Sequence, residues 1–194
     1  EAALLEQRGH RVARVEVSND DVRALSRGRL AASLFWNRAS SRRVADAVKR
    51  IGARVAHFHN TFPLVSPAAY YGARSAGAAV VQTLHNYRLI CPGGLLLRDG
   101  RPCEDCVGAP VAWRGVAHAC YRGSRVASAG VAAMVAAHRL AGTWQRRVDA
   151  YIALGEFSRE RFVAGGLPAE RVHVRPNFLG DDPGVGDHGG AHAL

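Results

Sequence analysis

The sequence predicts an α/β fold in which a parallel, Rossmann-like sheet has helices on both faces. Short apolar segments of β-type composition alternate with longer segments whose apolar residues recur at helical spacing, which is the pattern of strand–helix–strand units. Several predicted strands end in polar side chains, as strands do at the functional edge of such a sheet. The chain has 194 residues and is 48% hydrophobic, so it can bury a large core.

The N-terminal part is predicted to form a helix, a strand and a second helix. The first helix covers residues 2–7 and ends at Gly9, and alternating apolar and polar residues over 11–17 predict a strand. From residue 29 to residue 50, apolar side chains recur on one helical face opposite many arginines. This spacing predicts one amphipathic helix.

The middle of the chain is predicted to contain two strands that flank a helix. A short strand covers residues 54–58, and Ser66 followed by Pro67 is typical of a helix start. Gly77 ends that helix. The apolar run over residues 78–84 then predicts a strand that is buried on both faces.

The C-terminal part is predicted to contain two more helices and two more strands. The expected order is a helix over 125–149, a strand over 150–154, a helix over 158–164 and a strand over 172–174. Residues 181–194 are rich in Gly and Asp and have no apolar period, which predicts a linker or a disordered tail.

Polar residues follow three of the predicted strands. His59 and Asn60 follow one, His85 and Asn86 follow the next, and Glu156 comes after a third. Because the carboxyl ends of parallel strands meet at one edge of a sheet, we expect these side chains to share that edge. Each also has a structural interpretation: a strand-end histidine or asparagine can simply hold its loop, and Glu156 can stabilise a helix start through the macrodipole.

Four cysteines lie in the long segment after the strand at 78–84. Their spacing is Cys91-x11-Cys103-x2-Cys106-x13-Cys120. One C-x-x-C pair with two outlying cysteines predicts a structural zinc site, since zinc accepts four thiolates in tetrahedral geometry. Two disulfides, four free thiols and an iron–sulfur cluster are the alternatives, and His118 is a spare ligand candidate.

The formal net charge of +10 is unevenly distributed along the chain. Residues 22–54 contain a single acid, Asp46, and these basic residues: Arg23, Arg27, Arg29, Arg38, Arg42, Arg43, Lys49, Arg50 and Arg54. The helical part between Arg29 and Arg50 can contact an anionic lipid surface, or it can be a solvated helix face. No nucleic-acid-binding motif or aromatic stacking platform accompanies the charge, so nucleic acid is not an expected partner.

Targeting segments and cofactor-binding motifs bear on the expected cellular location and on the expected class of enzyme. No signal peptide is visible, and the longest uncharged run of the helical region, residues 126–137, is shorter than the roughly 20 residues that span a bilayer. A cytoplasmic location is therefore expected. No G-x-G-x-x-G follows a predicted strand, which argues against a dinucleotide-dependent oxidoreductase.

Four short segments together resemble the N-terminal domain of family 4 glycosyltransferases, within the two-domain GT-B architecture. In chain order they are His59-Asn60, Thr83-Leu84-His85-Asn86, Gly155-Glu156-Phe157-Ser158 and Arg175-Pro176-Asn177. A subgroup of that family carries a cysteine-bearing insert directly after the histidine, and the match to it covers about residues 57–177. The chain departs from the family at Gly155, where the family has Ser, and at Phe178, where it has Gly.

The resemblance implies a retaining transfer of a sugar from a nucleotide-sugar donor to a lipid-linked or polysaccharide acceptor. The composition indicates a bacterial enzyme, and the basic helix between Arg29 and Arg50 is the reason to expect it at the inner face of the plasma membrane. His85 matches the family histidine that hydrogen-bonds the donor sugar or its leaving phosphate, so it is the expected catalytic residue. The expected substrate-binding residues are His59, Asn60, Asn86, Arg88 and Glu156.

The resemblance also sets expectations for the domain organisation. Residues 1–180 are expected to form the acceptor-side domain, without the first strand and the glycine-rich loop of the family. The C-terminal donor-binding domain is expected to be absent, so this fragment alone is expected to be inactive. The alternative function is a non-enzymatic, zinc-stabilised binding module on a Rossmann-like scaffold.

Overall fold

The computed structural model describes residues 1–18 and 26–178, and at its centre lies a parallel sheet. The strands in chain order are β1 Val55–Phe58, β2 Ala79–Leu84, β3 Leu97–Arg98, β4 Arg101–Pro102, β5 Ala150–Ala153 and β6 Val172–Val174. The parallel sheet has the spatial order β1-β2-β5-β6, and β3 pairs with β4 in a separate antiparallel hairpin. The predicted α/β class with a Rossmann-like parallel sheet is confirmed.

Helices flank this sheet. They are α1 Ala2–Gln7, α2 Arg27–Phe35, α3 Arg38–Ile51, α4 Ala68–Ser75, α5 Trp113–Ala117, α6 Arg125–Leu140, α7 Thr143–Arg146 and α8 Glu156–Ala164, with a 3-10 turn at Ala169–Arg171. Within the described part of the chain, none of them is long and apolar enough to cross a membrane. The predicted tail, residues 181–194, lies outside the described residues.

The main core lies on one face of the sheet. The connections from β1 to β2, β5 and β6 all step across the sheet in the same direction, so right-handed crossovers place α4, α6 and α8 on one face. Tyr70, Trp144, Tyr151 and Phe162 are buried together in this core. On β2, Gln82 points toward this core and accepts a hydrogen bond from the Tyr70 hydroxyl at 2.7 Å.

Parallel pairing brings the carboxyl ends of three strands to one edge. Phe58 of β1 is paired with Gln82, and Leu84 of β2 is paired with Ala153 of β5. The residues that follow these strands therefore leave the sheet on the same side, as predicted. This edge carries the candidate site.

The predicted strand over residues 11–17 is wrong. The backbone there is irregular, although Val15 packs against the core. The Glu16 carbonyl accepts a hydrogen bond from the Arg43 guanidinium at 3.3 Å, and no described strand pairs with this segment. Alternation of apolar and polar residues supplies one buried face, but a strand also needs a neighbouring backbone to complete its hydrogen bonds.

The single helix predicted over residues 29–50 is divided into α2 and α3 at Asn37. The Asn37 side chain accepts a hydrogen bond from the Ser40 N–H at 3.1 Å and donates one to the Leu64 carbonyl at 2.6 Å. The Asn37 N–H donates to the Ser66 hydroxyl at 2.9 Å. Asparagine favours this N-cap geometry over a helix interior, and its two partners in the following loop fix the break.

The helix predicted over residues 125–149 is likewise divided, into α6 and α7. Gly142 has φ of 66°, a left-handed conformation that interrupts the helix and that glycine adopts without steric cost. The helix predicted at 2–7 and the strand predicted at 172–174 have the observed bounds, and the remaining predicted strands and helices shift by one or two residues at their ends.

A directional chain of hydrogen bonds ties α6 and α7 to α4 and to the end of α2. The Phe35 carbonyl can only accept, so His138 Nε2–H donates to it at 2.9 Å, and His138 Nδ1 accepts from the Thr143 hydroxyl at 2.9 Å. The Thr143 oxygen then accepts from the Tyr71 hydroxyl at 2.9 Å. The Trp36 ring covers this chain, with its centroid 4.9 Å from that of Tyr71 and 6.3 Å from that of His138.

We predict that protonation of His138 destabilises the fold. Burial lowers the pKa of His138, and the Phe35 carbonyl opposes this effect only in part. The unfolded chain therefore binds this proton more readily, so the stabilisation is present above about pH 6.5 and is lost as the pH falls through the lowered pKa. The measurement is the free energy of unfolding by urea at pH 7.5 and pH 5.

The comparison uses His138→Gln, with His10→Gln as the control at an exposed position. At pH 7.5, His138→Gln is expected to lose roughly 1–3 kcal/mol, because a buried hydrogen-bond partner is removed. Its loss of stability between pH 7.5 and pH 5 is expected to be smaller than that of the unsubstituted chain. Equal losses in the two proteins would contradict the prediction.

Candidate functional site

An open cleft lies at the carboxyl edge of β1 and β2. Most of the predicted site residues line it, namely His59, Asn60, His85, Asn86 and Arg88. Its remaining wall is largely apolar and includes Leu34, Phe62, Tyr70, Met134 and Trp144. Glu156 does not line this cleft; it is the first residue of α8, just after β5.

His59 and His85 contact each other directly at the rim of the cleft. His59 Nδ1 lies 3.0 Å from His85 Nε2, and the ring centroids are 5.3 Å apart. One ring must donate and the other accept, so the tautomers of the two rings depend on each other. Burial lowers the pKa of His85 and the neighbouring His59 lowers it further, with Glu1 opposing, so the environment of His85 favours the neutral ring.

A third histidine, His57, belongs to the same cluster, although the sequence reasoning treated it only as part of a strand. His57 Nε2 lies 2.7 Å from the Thr83 hydroxyl oxygen, and the His57 and His59 ring centroids are 4.4 Å apart. The signal was present in the sequence, since two histidines separated by one residue lie on the same face of an extended backbone.

Glu1 completes this cluster from the N-cap of α1. Its Oε1 lies 3.3 Å from His57 Nδ1, and its Oε2 lies 3.2 Å from His59 Nε2. Burial lowers the pKa of His57, Glu1 opposes that shift, and His59 and His85 add to it. No sequence pattern pointed to Glu1, because its position depends on how α1 lies over the sheet.

Asn60 and Asn86 both hold the turns that follow their strands. Asn60 Oδ1 accepts a hydrogen bond from the Phe62 N–H at 3.1 Å, and Asn86 Oδ1 accepts one from the Arg88 N–H at 3.1 Å. Both are Asx turns, in which the side chain replaces a backbone acceptor. The side-chain oxygens of both asparagines are therefore engaged in stabilising their own loops. Each side chain still has its amide NH₂ group to donate to a ligand.

Arg88 fastens the segment after β2 to the loop after β1. Its guanidinium lies 4.7 Å from the Phe62 ring centroid and 5.0 Å from that of Tyr121, and Nη1 donates to the Pro92 carbonyl at 3.0 Å. A Cβ at Gly94 would lie 3.1 Å from Arg88 Nη2, so glycine leaves space for the guanidinium. Arg88 lines the cleft, but its guanidinium already interacts with Phe62, Tyr121 and the Pro92 carbonyl within the protein.

Residues 85–124, here called the cysteine loop, connect β2 to α6. Within it, β3 and β4 are joined by Asp99 and Gly100, whose φ values of 51° and 73° match a type I′ hairpin turn. The Cys103 N–H donates to the Leu96 carbonyl at 2.8 Å and so extends the hairpin toward the C-x-x-C pair. The loop therefore has regular structure next to its cysteines.

The four thiols are free and half-buried. Burial raises the pKa of the Cys106 thiol, a hydrogen bond from Gly115 opposes this, and the other three cysteines add to it. Among the described residues no three sulfurs lie within 4.8 Å of one another, whereas the ligands of a tetrahedral zinc–thiolate site are roughly 3.8 Å apart. The described cysteines therefore do not form a tetrahedral thiolate site in this arrangement, and a zinc ion would require the sulfurs to move closer together.

Gly115 fixes the contact of α5 with Pro92 and with the thiol of Cys106. A Cβ at this position would lie 2.7 Å from Pro92 Cγ and 3.4 Å from Cys106 Sγ. Only glycine lets α5 approach this closely, because a larger residue would clash with the proline ring. The close approach keeps Cys91, adjacent to Pro92, near the C-x-x-C pair.

The chain was compared with protein-family models, with curated proteins and with solved structures, and none of the three comparisons found a match. The function must therefore be inferred from the geometry of the cleft. Its rim presents imidazole nitrogens and amide N–H donors, and its wall is largely apolar. Such a surface suits a polar ligand with hydroxyl or phosphate oxygens and some apolar surface.

Proposed function

We propose that this chain is the acceptor-side half of a retaining, GT-B glycosyltransferase of family 4. The enzyme would move a sugar from a nucleotide-sugar donor to a lipid-linked or polysaccharide acceptor. The observation that carries the proposal is the cleft at the carboxyl edge of β1 and β2, where His59 meets His85 between two asparagine turns. Ligands of parallel α/β sheets bind at this edge, and the motif resemblance supplies the reaction class.

In this proposal His85 stabilises the leaving group. As the bond between the sugar and the phosphate breaks, negative charge develops on the phosphate oxygen, and an imidazole N–H directed at that oxygen stabilises it. His85 Nε2 is occupied by His59 at 3.0 Å, so Nδ1 is the nitrogen that remains for a ligand. The lowered pKa of His85 favours the neutral ring, whose single N–H lies on Nδ1 when His59 Nδ1–H donates to His85 Nε2.

The other predicted residues have supporting roles in this scheme. The amide groups of Asn60 and Asn86 donate to acceptor or sugar hydroxyls at the rim of the cleft. Arg88 holds the rim in place through Phe62 and adds positive charge near a phosphate. Glu156 follows β5, the neighbour of β2, so it contacts only a ligand that extends past His85 along the sheet edge.

The first test is sugar transfer by the complete gene product, using a panel of UDP- and GDP-sugars and following nucleotide release. His85→Ala is expected to lower kcat by about 100-fold or more, because a donor to the developing charge is lost. His173→Ala, on the exposed face of β6, is the control and is expected to leave kcat unchanged. Equal rates for His85→Ala and the control would contradict the proposed role.

A structural zinc ion in the cysteine loop is the second part of the proposal. It would be held by Cys91, Cys103, Cys106 and Cys120, whose mutual effects on the pKa of Cys106 support a common neighbourhood. Four thiolates leave no open position on zinc, so the ion would stabilise the loop without entering the chemistry.

We predict that protein purified without a chelator contains about one zinc per chain bound by these thiolates. Elemental mass spectrometry on the double variant Cys103→Ser, Cys106→Ser is expected to show that this zinc is lost. In the unsubstituted chain, all four thiols are expected to react with a thiol reagent only after unfolding and chelation. Equal zinc contents, or thiols that react freely in the folded protein, would contradict the zinc site.

The cysteine loop also favours the second candidate function, a zinc-stabilised binding module. Leu97 is 52% exposed and Trp113 is 61% exposed, and both belong to this loop. Exposed large apolar side chains of this kind suit a protein partner. The module would retain its zinc but would show no dependence of sugar transfer on His85.

Contact with the inner face of the plasma membrane through α2 and α3 is a further part of the proposal. Val44 and Val48 of α3 are buried, whereas Arg42, Arg43 and Lys49 on the other side are exposed. A basic face of this kind is attracted to anionic headgroups.

Vesicle binding tests this contact. The double variant Arg42→Glu, Arg43→Glu is expected to bind phosphatidylglycerol vesicles at least about tenfold more weakly, since each lost positive charge contributes about 1 kcal/mol near the surface. Arg8→Glu with Arg11→Glu gives the same change in net charge outside this face and is the control. If both double variants bind equally, the contact does not lie on α3.

A further inference from the structure

Three side chains converge on one point at the rim of the cleft, on the side of the His59 ring that faces away from His85. Glu1, His57 and His59 each contribute one ligand atom, and the three atoms lie within 4.8 Å of one another; the nitrogens that face the Glu1 carboxylate are His57 Nδ1 and His59 Nε2. No other group of three His, Cys, Asp or Glu ligand atoms in residues 1–18 and 26–178 meets this limit. We propose that Glu1, His57 and His59 bind one divalent transition-metal ion of the zinc or cobalt type.

The local backbone explains why the two imidazoles face the same way. His57 is in β1 and His59 follows it two residues later, and side chains two residues apart in an extended chain share a face. The ring centroids are therefore only 4.4 Å apart. Glu1 then brings a carboxylate to both rings from the separate element α1, with nitrogen–oxygen distances of 3.3 and 3.2 Å.

The remaining nitrogen of each imidazole has a partner that orients the ring. His57 Nε2 lies 2.7 Å from the Thr83 hydroxyl oxygen, and His59 Nδ1 lies 3.0 Å from His85 Nε2. Metal-binding histidines almost always have such a partner on the other ring nitrogen, because it fixes the tautomer and the ring plane. Here both partners leave the nitrogens that face Glu1 as the available ligands.

Metal binding reverses the hydrogen bonds in this cluster without changing the number of protons. With neutral rings and no metal, His57 Nδ1–H and His59 Nε2–H donate to Glu1, so His59 Nδ1 accepts from His85 Nε2–H. When both facing nitrogens coordinate a metal, the proton of each ring moves to its other nitrogen. His57 Nε2–H then donates to the Thr83 oxygen, His59 Nδ1–H donates to His85 Nε2, and the His85 proton moves to Nδ1.

The donor set indicates which ion binds. Two imidazoles and one carboxylate suit zinc, cobalt, nickel or copper, whereas calcium and magnesium prefer oxygen ligands alone. Three protein ligands leave at least one position for water or a ligand atom. The Glu1 and His59 side chains are 40% and 50% exposed, so an ion can reach the site from solvent.

The test is a titration of the untagged 194-residue chain with Co²⁺, followed by its visible absorption and by equilibrium dialysis with Zn²⁺. Glu1→Gln is the diagnostic variant, because Glu1 is exposed and α1 contains no buried residue. Glu6→Gln is the matched control, since Glu6 is an exposed acid on the same helix that pairs with Arg14 instead. Cobalt at the cysteines gives sulfur-to-cobalt charge-transfer absorption, which the His–Glu site lacks, so the two sites are distinguished.

The expected result is one metal equivalent without charge-transfer absorption in the unsubstituted chain and in Glu6→Gln. Glu1→Gln is expected to bind that equivalent at least about tenfold more weakly, as is His57→Gln as a second variant. Nitrogen-15 spectra of the ring nitrogens are expected to show that zinc shifts His85 from the Nε2–H to the Nδ1–H tautomer. Absence of a thiolate-free equivalent, or equal affinity in Glu1→Gln and Glu6→Gln, would overturn the proposal, whatever the outcome for sugar transfer.

Discussion

The side chain of Gln82 joins the main core to both strand ends that form the cleft. It is buried, and its Oε1 accepts the hydroxyl proton of the fully buried Tyr70 at 2.7 Å. Its Nε2 donates to the Thr83 carbonyl at 2.8 Å and approaches the His59 carbonyl at 3.4 Å. A buried amide left without these partners would cost about 1–3 kcal/mol, so the positions of α4, β1 and β2 are mutually dependent. The distance between His59 and His85 is a consequence of this arrangement.

The loop after β2 is constrained by a second set of interactions that the core does not provide. The guanidinium of Arg88 lies over the rings of Phe62, from the loop after β1, and Tyr121, from the far end of the cysteine loop, and these two rings contact each other edge to face with centroids 5.5 Å apart. At the same time it donates to the Pro92 carbonyl. Because a cation over two aromatic rings is stabilised by both, this one side chain closes the cysteine loop on itself and onto the rim of the cleft. A metal at the cysteines would add rigidity to a loop whose ends are already fixed.

The sequence was sufficient for the fold class and for the shared sheet edge, because strand–helix alternation and buried strands leave a local signature. It failed where the structure depends on a distant partner. Asn37 divides one predicted helix into two through contacts with a loop more than 20 residues away, and residues 11–17 have strand-like alternation without a described strand to pair with. In the site, the spacing of His57 and His59 was a readable signal, whereas the contact of Glu1 with both rings depends on how α1 is placed and has no local signature.

The three imidazoles and the Glu1 carboxylate form one hydrogen-bonded cluster. The hydrogen bond between His59 and His85 can run in either direction, with either ring as the donor. Burial lowers the pKa of His57 and of His85, so at neutral pH these rings have one N–H and one lone pair each. When the rings donate toward Glu1, His85 Nε2–H is used by His59, and His85 offers only an acceptor to the cleft. When a metal ion occupies the Glu1 end, the direction reverses and His85 offers an N–H donor. A developing phosphate anion requires the donor, so occupancy of the metal site and leaving-group stabilisation would be coupled through the His59 ring.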